Sequence, residues 1–180
     1  MACPIDGKKL TSDETQLSCE QGHTFDIARQ GYVNLLPVQA KRSKNPGDSK
    51  AMVVARTAFL DSGVYEPIAK YLTELISPQI EEDRTICILD AGCGEGYYLD
   101  YVYQELLKTG NNCNVSMIGL DISKPAIVAS SKRNRQLDWS QGLLISVRHL
   151  FFDRISLLDV RFDRVSEGFW NSIWYILCLS

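Results

Sequence analysis

The chain has 180 residues, room for one domain or for a domain with a small module beside it. Its apolar and charged fractions are those of an ordinary globular chain, and a net charge of −3 excludes a surface built throughout for nucleic acid while leaving room for a local basic strip. No apolar run approaches the roughly 20 residues of a membrane span, the polar N-terminus predicts no signal peptide, and Cys87 and Cys93 sit inside a strand pattern and a turn, where they predict free thiols in a reducing, cytoplasmic compartment.

Residues 1–36 form a composition zone of their own. Cys3-Pro4-Ile5-Asp6 opens it, and Cys19-Glu20-Gln21-Gly22-His23 begins sixteen residues after Cys3. Two knuckle-like turns separated by a short hairpin have the spacing of a small zinc ribbon. The implied ligand set is Cys3, Asp6, Cys19 and His23, with Asp6 standing where a cysteine is expected. Aspartate binds zinc through oxygen, but closed structural sites favour thiolate. The alternative is a metal-free hairpin with two unpaired cysteines and a surface histidine. Phe25, Tyr32, Leu35 and Leu36 give so small a module something to pack on.

Residues 37–50 read as a basic linker: Lys41, Arg42, Lys44 and Lys50 stand against Asp48 alone, and Pro46-Gly47-Asp48 is a turn signal. A solvated connector and a phosphate-contacting strip fit this composition equally. A helix is predicted over residues 50–62, capped by Asp48 or Ser49, with Met52, Ala55, Phe59 and Leu60 on one face and Gly63 as its stop. A second starts at Pro67, carries Ile68, Leu72, Leu75 and Ile76, and closes at Pro78. Tyr65 falls in the turn between the two helices, placed to face a cofactor cleft.

The organising stretch is residues 85–97. The apolar run at 86–89 reads as a buried strand, which stops at Asp90 and turns through three glycines in five residues, Gly92-Cys93-Gly94-Glu95-Gly96. A helical pattern follows: Leu99, Val102, Tyr103, Leu106 and Leu107, stopped by Gly110. Strand, glycine turn and helix make the first unit of a doubly wound sheet, whose ligands sit outside the carboxyl ends of the strands. Glycines allow positive φ and close approach of a ligand to the backbone, and a helix N-terminus offers N–H groups. A second strand at 115–120 ends in Asp121, 31 residues after Asp90. A dinucleotide fingerprint expects roughly 20 and a different glycine spacing, so a nicotinamide-dependent oxidoreductase is disfavoured. Asp90 and the turn resemble motif I of S-adenosylmethionine-dependent methyltransferases, in which the first acid and the turn hold the methionine part and the second acid holds the ribose. Ser123 is placed to cap a second crossover helix running to about Arg133, with Lys132, Arg133 and Arg135 meeting its dipole. Residues 137–139 are the third strand or the approach to it.

Taken together, Cys3 to His23, Phe25-Asp26-x-Ala28-x-x-Gly31-Tyr32-Val33-Asn34-Leu35-Leu36, Lys41-Arg42, Pro46-Gly47-Asp48-Ser49, Met52, Ala55-Arg56, Phe59-Leu60-Asp61-x-Gly63-x-Tyr65 and Asp90 to Tyr98 appear in order. This set closely resembles the bacterial 23S ribosomal RNA guanine-N1 methyltransferases from residue 3 to about 135. The resemblance implies an α/β fold: a Rossmann-like S-adenosylmethionine-dependent methyltransferase domain at 51–180, behind a zinc-ribbon-like RNA-recognition module at 1–36 and the basic linker at 37–50. It implies methylation of N1 of a guanine in a 23S rRNA hairpin loop, and relatives confer resistance to macrolides such as tylosin. The expected cofactors are S-adenosylmethionine and zinc. Tyr65, Asp90, Gly92, Gly94, Glu95, Gly96 and Asp121 are expected at the first, and Cys3, Asp6, Cys19 and His23 at the second. Lys41, Arg42, Lys44 and Arg56 are the RNA candidates. A 23S rRNA hairpin and a homodimer are the expected partners, with no membrane.

Two departures stand out. Asp6 replaces the family's second zinc cysteine. From near Ser140 the family's fourth strand, helix and Pro-Gly-Gly turn are not recognisable, and residues 140–180 read as irregular basic and apolar pieces with an apolar tail at 169–179. The sheet is therefore expected to be incomplete, in a truncated chain with a changed reading frame after about residue 139. The acceptor of the guanine proton is expected on the fourth strand or beyond, and a catalytically inactive homologue that binds cofactor or RNA is the rival reading.

Overall fold

The computed structural model describes residues 1–36, 46–80, 86–110 and 115–143, and the backbone of 155–158 and 175–179. The N-terminal zone opens with an antiparallel sheet of β1 (Thr11–Ser12), β2 (Gln16–Ser18) and β3 (Thr24–Asp26), with Leu17 opposite Phe25. Asp13 makes the first turn, its carboxylate accepting the N–H groups of Thr15 and Gln16 at 2.8 Å. Strand alternation sends Leu17 and Phe25 inward, where they join Cys3, Leu10, Cys19, Val33 and Leu35 in a small core.

The module does not end as a closed unit. Its last strand, β4 (Val33–Asn34), keeps Val33 in the ribbon core but pairs with the large sheet. Tyr32, one of the residues expected to give the module something to pack on, lies in the main core, whereas Phe25 and Leu35 lie in the ribbon's. A boundary at residue 36 therefore separates compositions, not sheets.

Two helices follow, α1 (Lys50–Asp61) and α2 (Glu66–Ile76), the first capped by the Ser49 hydroxyl at the Met52 N–H, 3.3 Å. Then come β5 (Ile86–Ala91), α3 (Tyr97–Thr109), β6 (Val115–Asp121), α4 (Lys124–Arg133), β7 (Asp138–Gln141), β8 (Ile155–Leu158) and β9 (Tyr175–Leu179). The sheet order is β4-β7-β6-β5-β9-β8. β5, β6 and β7 run parallel, with Asp90 level with Gly119 and Asp121 level with Gln141. β4 adds parallel to β7, so this edge is completed from the N-terminal zone. On the other side β9 lies antiparallel to β5, and β8 antiparallel to β9.

The α3 stripe is as its periodicity predicts: Leu99, Val102 and Leu106 are buried, each apolar side chain contributing about 1.5–3 kcal/mol, and Gly110 ends the helix at φ 74°. The α1 stripe is not. Val53 and Leu60 are buried, while Met52, Ala55 and Phe59 are exposed. The inward face of α1 carries Arg56 and Thr57 between its two apolar residues, so counting apolar residues selects the wrong side. In α2 the buried set is Ala69, Leu72 and Ile76. No described helix is long and apolar enough to cross a membrane.

Candidate cofactor turn and metal centre

The β5–α3 turn holds its three glycines at positive φ, 90°, 57° and 80° for Gly92, Gly94 and Gly96, but each faces something different. A Cβ on Gly96 would come within 2.5 Å of Trp139 Cη2 and 2.9 Å of Ser130, so this glycine lets the third strand and α4 pack against the helix start. A Cβ on Gly94 would meet the Arg56 guanidinium at 3.6 Å. A Cβ on Gly92 would meet nothing within 4 Å among the described residues. Of the three, Gly92 is the one that opens backbone to space beyond those residues, as a ligand needs.

The turn is tied down by its own N–H groups. Gly92 and Cys93 donate to the Leu120 carbonyl at 2.7 and 3.1 Å, and Gly96 donates to the Cys93 carbonyl at 2.9 Å. Gly94 donates to Asp121 Oδ2 at 2.9 Å, and Ser123 donates to Asp121 Oδ1 at 2.7 Å. Asp121 thus braces both crossover turns, each oxygen accepting one bond from the described residues. Ser123 caps α4 as expected, accepting from the Ala126 N–H at 3.2 Å.

Asp90 is the anomaly. Its side chain is 2% exposed, and neither carboxylate oxygen has a hydrogen-bond partner among the described residues. A buried carboxylate without partners is costly. Burial, joined by the charges of Asp121 and Glu95, pushes its pKa up to about 7. The same surroundings raise the Asp121 carboxyl, chiefly through burial, and push the Cys93 thiol well up. Tyr98, at the start of α3, is raised by burial and by Tyr65, Tyr97, Glu95 and Asp90. Tyr65 itself meets Phe59 edge-on at 5.4 Å. Three carboxylates therefore crowd one turn, whose local field favours a cation.

Glu95, 2% exposed, is spoken for. Arg56 Nε donates to its Oε2 at 2.8 Å, and the Arg56 guanidinium also pairs with Asp48. The Glu95 carbonyl accepts from Arg133 Nε at 3.2 Å, and Arg133 reaches on to Asp61 at 2.9 Å across the Tyr97 ring. Arg56, grouped with the RNA candidates in the sequence, points inward to two carboxylates, and Arg133, in the last turn of α4 as expected, also binds side-chain and carbonyl partners. No local pattern marks Arg56 for Glu95, 39 residues on, or Trp139 for Gly96. An arginine about two helical turns inside a capped helix and a tryptophan in a short strand are the cues.

In the ribbon, the four expected ligands converge, with donor atoms all within 4.8 Å of one another. His23 Nδ1 lies 3.6 Å from Cys3 Sγ, 3.4 Å from Cys19 Sγ and 3.0 Å from Asp6 Oδ2, and Cys19 Sγ is 3.4 Å from Asp6 Oδ2. Zinc–ligand bonds of about 2.0–2.3 Å set tetrahedral edges of about 3.3–3.8 Å; the three sulfur separations fall in that range and the His23–Asp6 separation lies just below it, so the set closes on one zinc ion with a small side-chain adjustment. The Lys8 N–H, at 2.9 Å, leads the interactions that hold the Asp6 carboxyl down at about 2. Lys41, Arg42 and Lys44 lie outside the described residues, as do the side chains beyond residue 143 where a proton acceptor is expected.

Comparison with known proteins gives a match to each of these two regions. Residues 1–44 match the zinc-ribbon family described as RlmA, N-terminal, and residues 64–150 match a family described as Methyltransferase domain, which carries the likeness past the expected limit near 135. A 23S rRNA (guanine(748)-N(1))-methyltransferase of Streptomyces fradiae is 39% identical over 71% of this chain and 42% of its own length. The Bacillus subtilis protein YxjB, provisionally named a 23S rRNA (guanine-N(1)-)-methyltransferase, is 30% identical over 77% and 48%. A Micromonospora griseorubida protein with the same provisional name is 32% identical over 71% and 45%. The chain spans less than half the length of each of these relatives. A methyltransferase domain of this kind takes S-adenosylmethionine, and the unpartnered Asp90 beside open Gly92 fits such a cation. The chain belongs to the zinc-ribbon-bearing, S-adenosylmethionine-dependent methyltransferase family in which these relatives fall.

Proposed function

We propose that the chain binds S-adenosylmethionine at the β5–α3 turn and transfers its methyl group to N1 of a guanine in a 23S rRNA hairpin loop. The observation that carries the first half is Asp90: a buried carboxylate without partners among the described residues, next to a glycine that faces open space. The names of the relatives support the second half. When bound, S-adenosylmethionine supplies a methyl on a sulfonium, already a good electrophile.

The residues contribute binding and orientation. Asp90 is suited to the ammonium of the methionine part, Gly92 to close backbone approach, and the Asp121 carboxylate to ribose hydroxyls. A pyrophosphate would meet three carboxylates and one paired arginine, a poor exchange, which disfavours a nicotinamide dinucleotide. The zinc-bearing ribbon and the strip at residues 41–44 are suited to the RNA, whose target base must leave its stack and lose its N1 proton during attack. The cytoplasm is the expected compartment, and a homodimer the expected assembly, checked by molar mass from light scattering.

The test is incubation of the chain with methyl-labelled S-adenosylmethionine and a 23S rRNA hairpin, followed by primer extension. A stop at one loop guanine supports the proposal, and full-length extension with no label in RNA contradicts it. A second reading, binding without turnover, is favoured by one feature: the strand beside β5 is β9, which runs antiparallel. That reading expects cofactor binding with no methylated product.

A further inference from the structure

The interactions around the cofactor turn close into a ring. Arg56 Nε donates to Glu95 at 2.8 Å. The neighbouring Gly94 N–H donates to Asp121 at 2.9 Å, and Asp121 also takes the Ser123 N–H at 2.7 Å. The Ser123 hydroxyl then donates to the Asp48 carbonyl at 2.8 Å, and the Asp48 carboxylate returns to the Arg56 guanidinium. The seam is tight at both ends. A Cβ on Gly47 would sit 2.8 Å from Ser123 Cβ, and the Arg56 guanidinium already lies against Gly94. Both crossover turns and the segment at 46–49, the last part of the basic linker, are thus held by one side chain with two charged partners.

A glycine turn has few conformational preferences of its own, so its shape must be imposed from outside. Asp121 holds one side of Gly94. Arg56 holds the other side and keeps the Glu95 carboxylate, buried in a turn already crowded with negative charge, paired and away from Asp90. We propose that Arg56 is a positioning residue for the cofactor: it fixes the Gly94–Glu95 segment so that Gly92 and Asp90 present one rigid face to the ligand. This rests on the proposed cofactor reading of that turn, and it assigns Arg56 to the cofactor rather than to RNA phosphate. A lysine keeps the charge but cannot fork to two carboxylates, so it restores part of the effect.

The experiment is calorimetric titration of the full chain with S-adenosylmethionine, alongside binding of a 23S rRNA hairpin at fixed salt and thermal melting, for wild type, Arg56→Gln, Arg56→Lys and Asp48→Asn. Losing a bond between charged groups weakens cofactor binding by about tenfold or more in Arg56→Gln, with the lysine variant intermediate and Asp48→Asn weakened about threefold. RNA affinity stays within about twofold of wild type, whereas an arginine that bound RNA phosphate would lower it on substitution. Cofactor affinity within twofold of wild type in the arginine variants overturns the proposal, whether melting temperature falls or RNA binding falls. Should Arg56→Gln not fold, Arg56→Lys and Asp48→Asn decide by the same criterion. Wild-type chain that takes up no cofactor would refute the cofactor reading itself, a different result from equal binding by all variants.

Discussion

Trp139 and Gly96 are packed so closely that a methyl group on the glycine would lie 2.5 Å from the indole edge. The indole is 2% exposed and anchored by its Nε1–H to the Asn134 carbonyl at 2.7 Å. The last glycine of the motif is therefore a packing residue, and the first, Gly92, faces outward.

This contrast separates stability from binding. Gly96→Ala meets both a positive-φ penalty and overpacking, and is expected to lose about 3 kcal/mol of stability. Gly92→Ala carries the backbone penalty alone, about 1–2 kcal/mol, yet places its methyl where the ligand comes. Denaturant unfolding should rank Gly96→Ala as the less stable, while calorimetry should show Gly92→Ala with S-adenosylmethionine binding weakened about tenfold or more. Equal loss of stability, with Gly92→Ala binding normally, would contradict the assignment.

Asp90 gives a pH dependence with a definite sign. Its folded pKa of about 7 lies above the ordinary 3.8, so the folded cofactor-free chain binds the proton more tightly than the unfolded chain. Stability contributed by this group falls as pH rises from about 4 to 7 and is lowest above 7, by up to roughly 4 kcal/mol. Denaturation of the cofactor-free chain at about pH 5.5 and about pH 8, on either side of that upper limit, should show wild type losing stability at the higher pH, with Asp90→Asn losing markedly less. A cationic ligand needs the ionised form, so below about pH 7 cofactor affinity should fall toward tenfold per unit, and this slope should be absent in Asp90→Asn. Identical pH profiles for the two proteins would count against Asp90.

The metal site makes a separable claim. Asp6 supplies a harder donor than thiolate, so Asp6→Cys is expected to hold zinc about tenfold tighter or more, and Cys19→Ser to lose it. Cobalt substitution reads the donor set directly, with stronger sulfur charge-transfer absorption in Asp6→Cys. The ribbon core includes Val33 and Leu35, and the Leu35 N–H donates to the Gln141 carbonyl at 2.8 Å. Chelating the metal should therefore speed exchange of the Leu35 amide, since small zinc modules fold with their metal. Unchanged exchange after complete metal removal would show that the ribbon holds β4 without it.

Much of this was legible in sequence because the signals are local. The apolar run before Asp90, the caps at Ser49 and Ser123 and the stop at Gly110 each announce themselves within a few residues. The metal ligands were legible by spacing. What was hidden is long-range and polar: Arg56 for Glu95, the Ser123 hydroxyl for Asp48, and the pairing of β4 with β7. The wrong face of α1 has the same origin, since its buried side is partly an arginine that leaves no apolar period.

The most direct measurement is calorimetric titration of the full chain with S-adenosylmethionine near pH 8, with NAD run in parallel. One equivalent of S-adenosylmethionine should bind, with NAD giving no competing heat. No binding at millimolar S-adenosylmethionine, or NAD binding in its place, would contradict the assignment of Asp90 and Gly92.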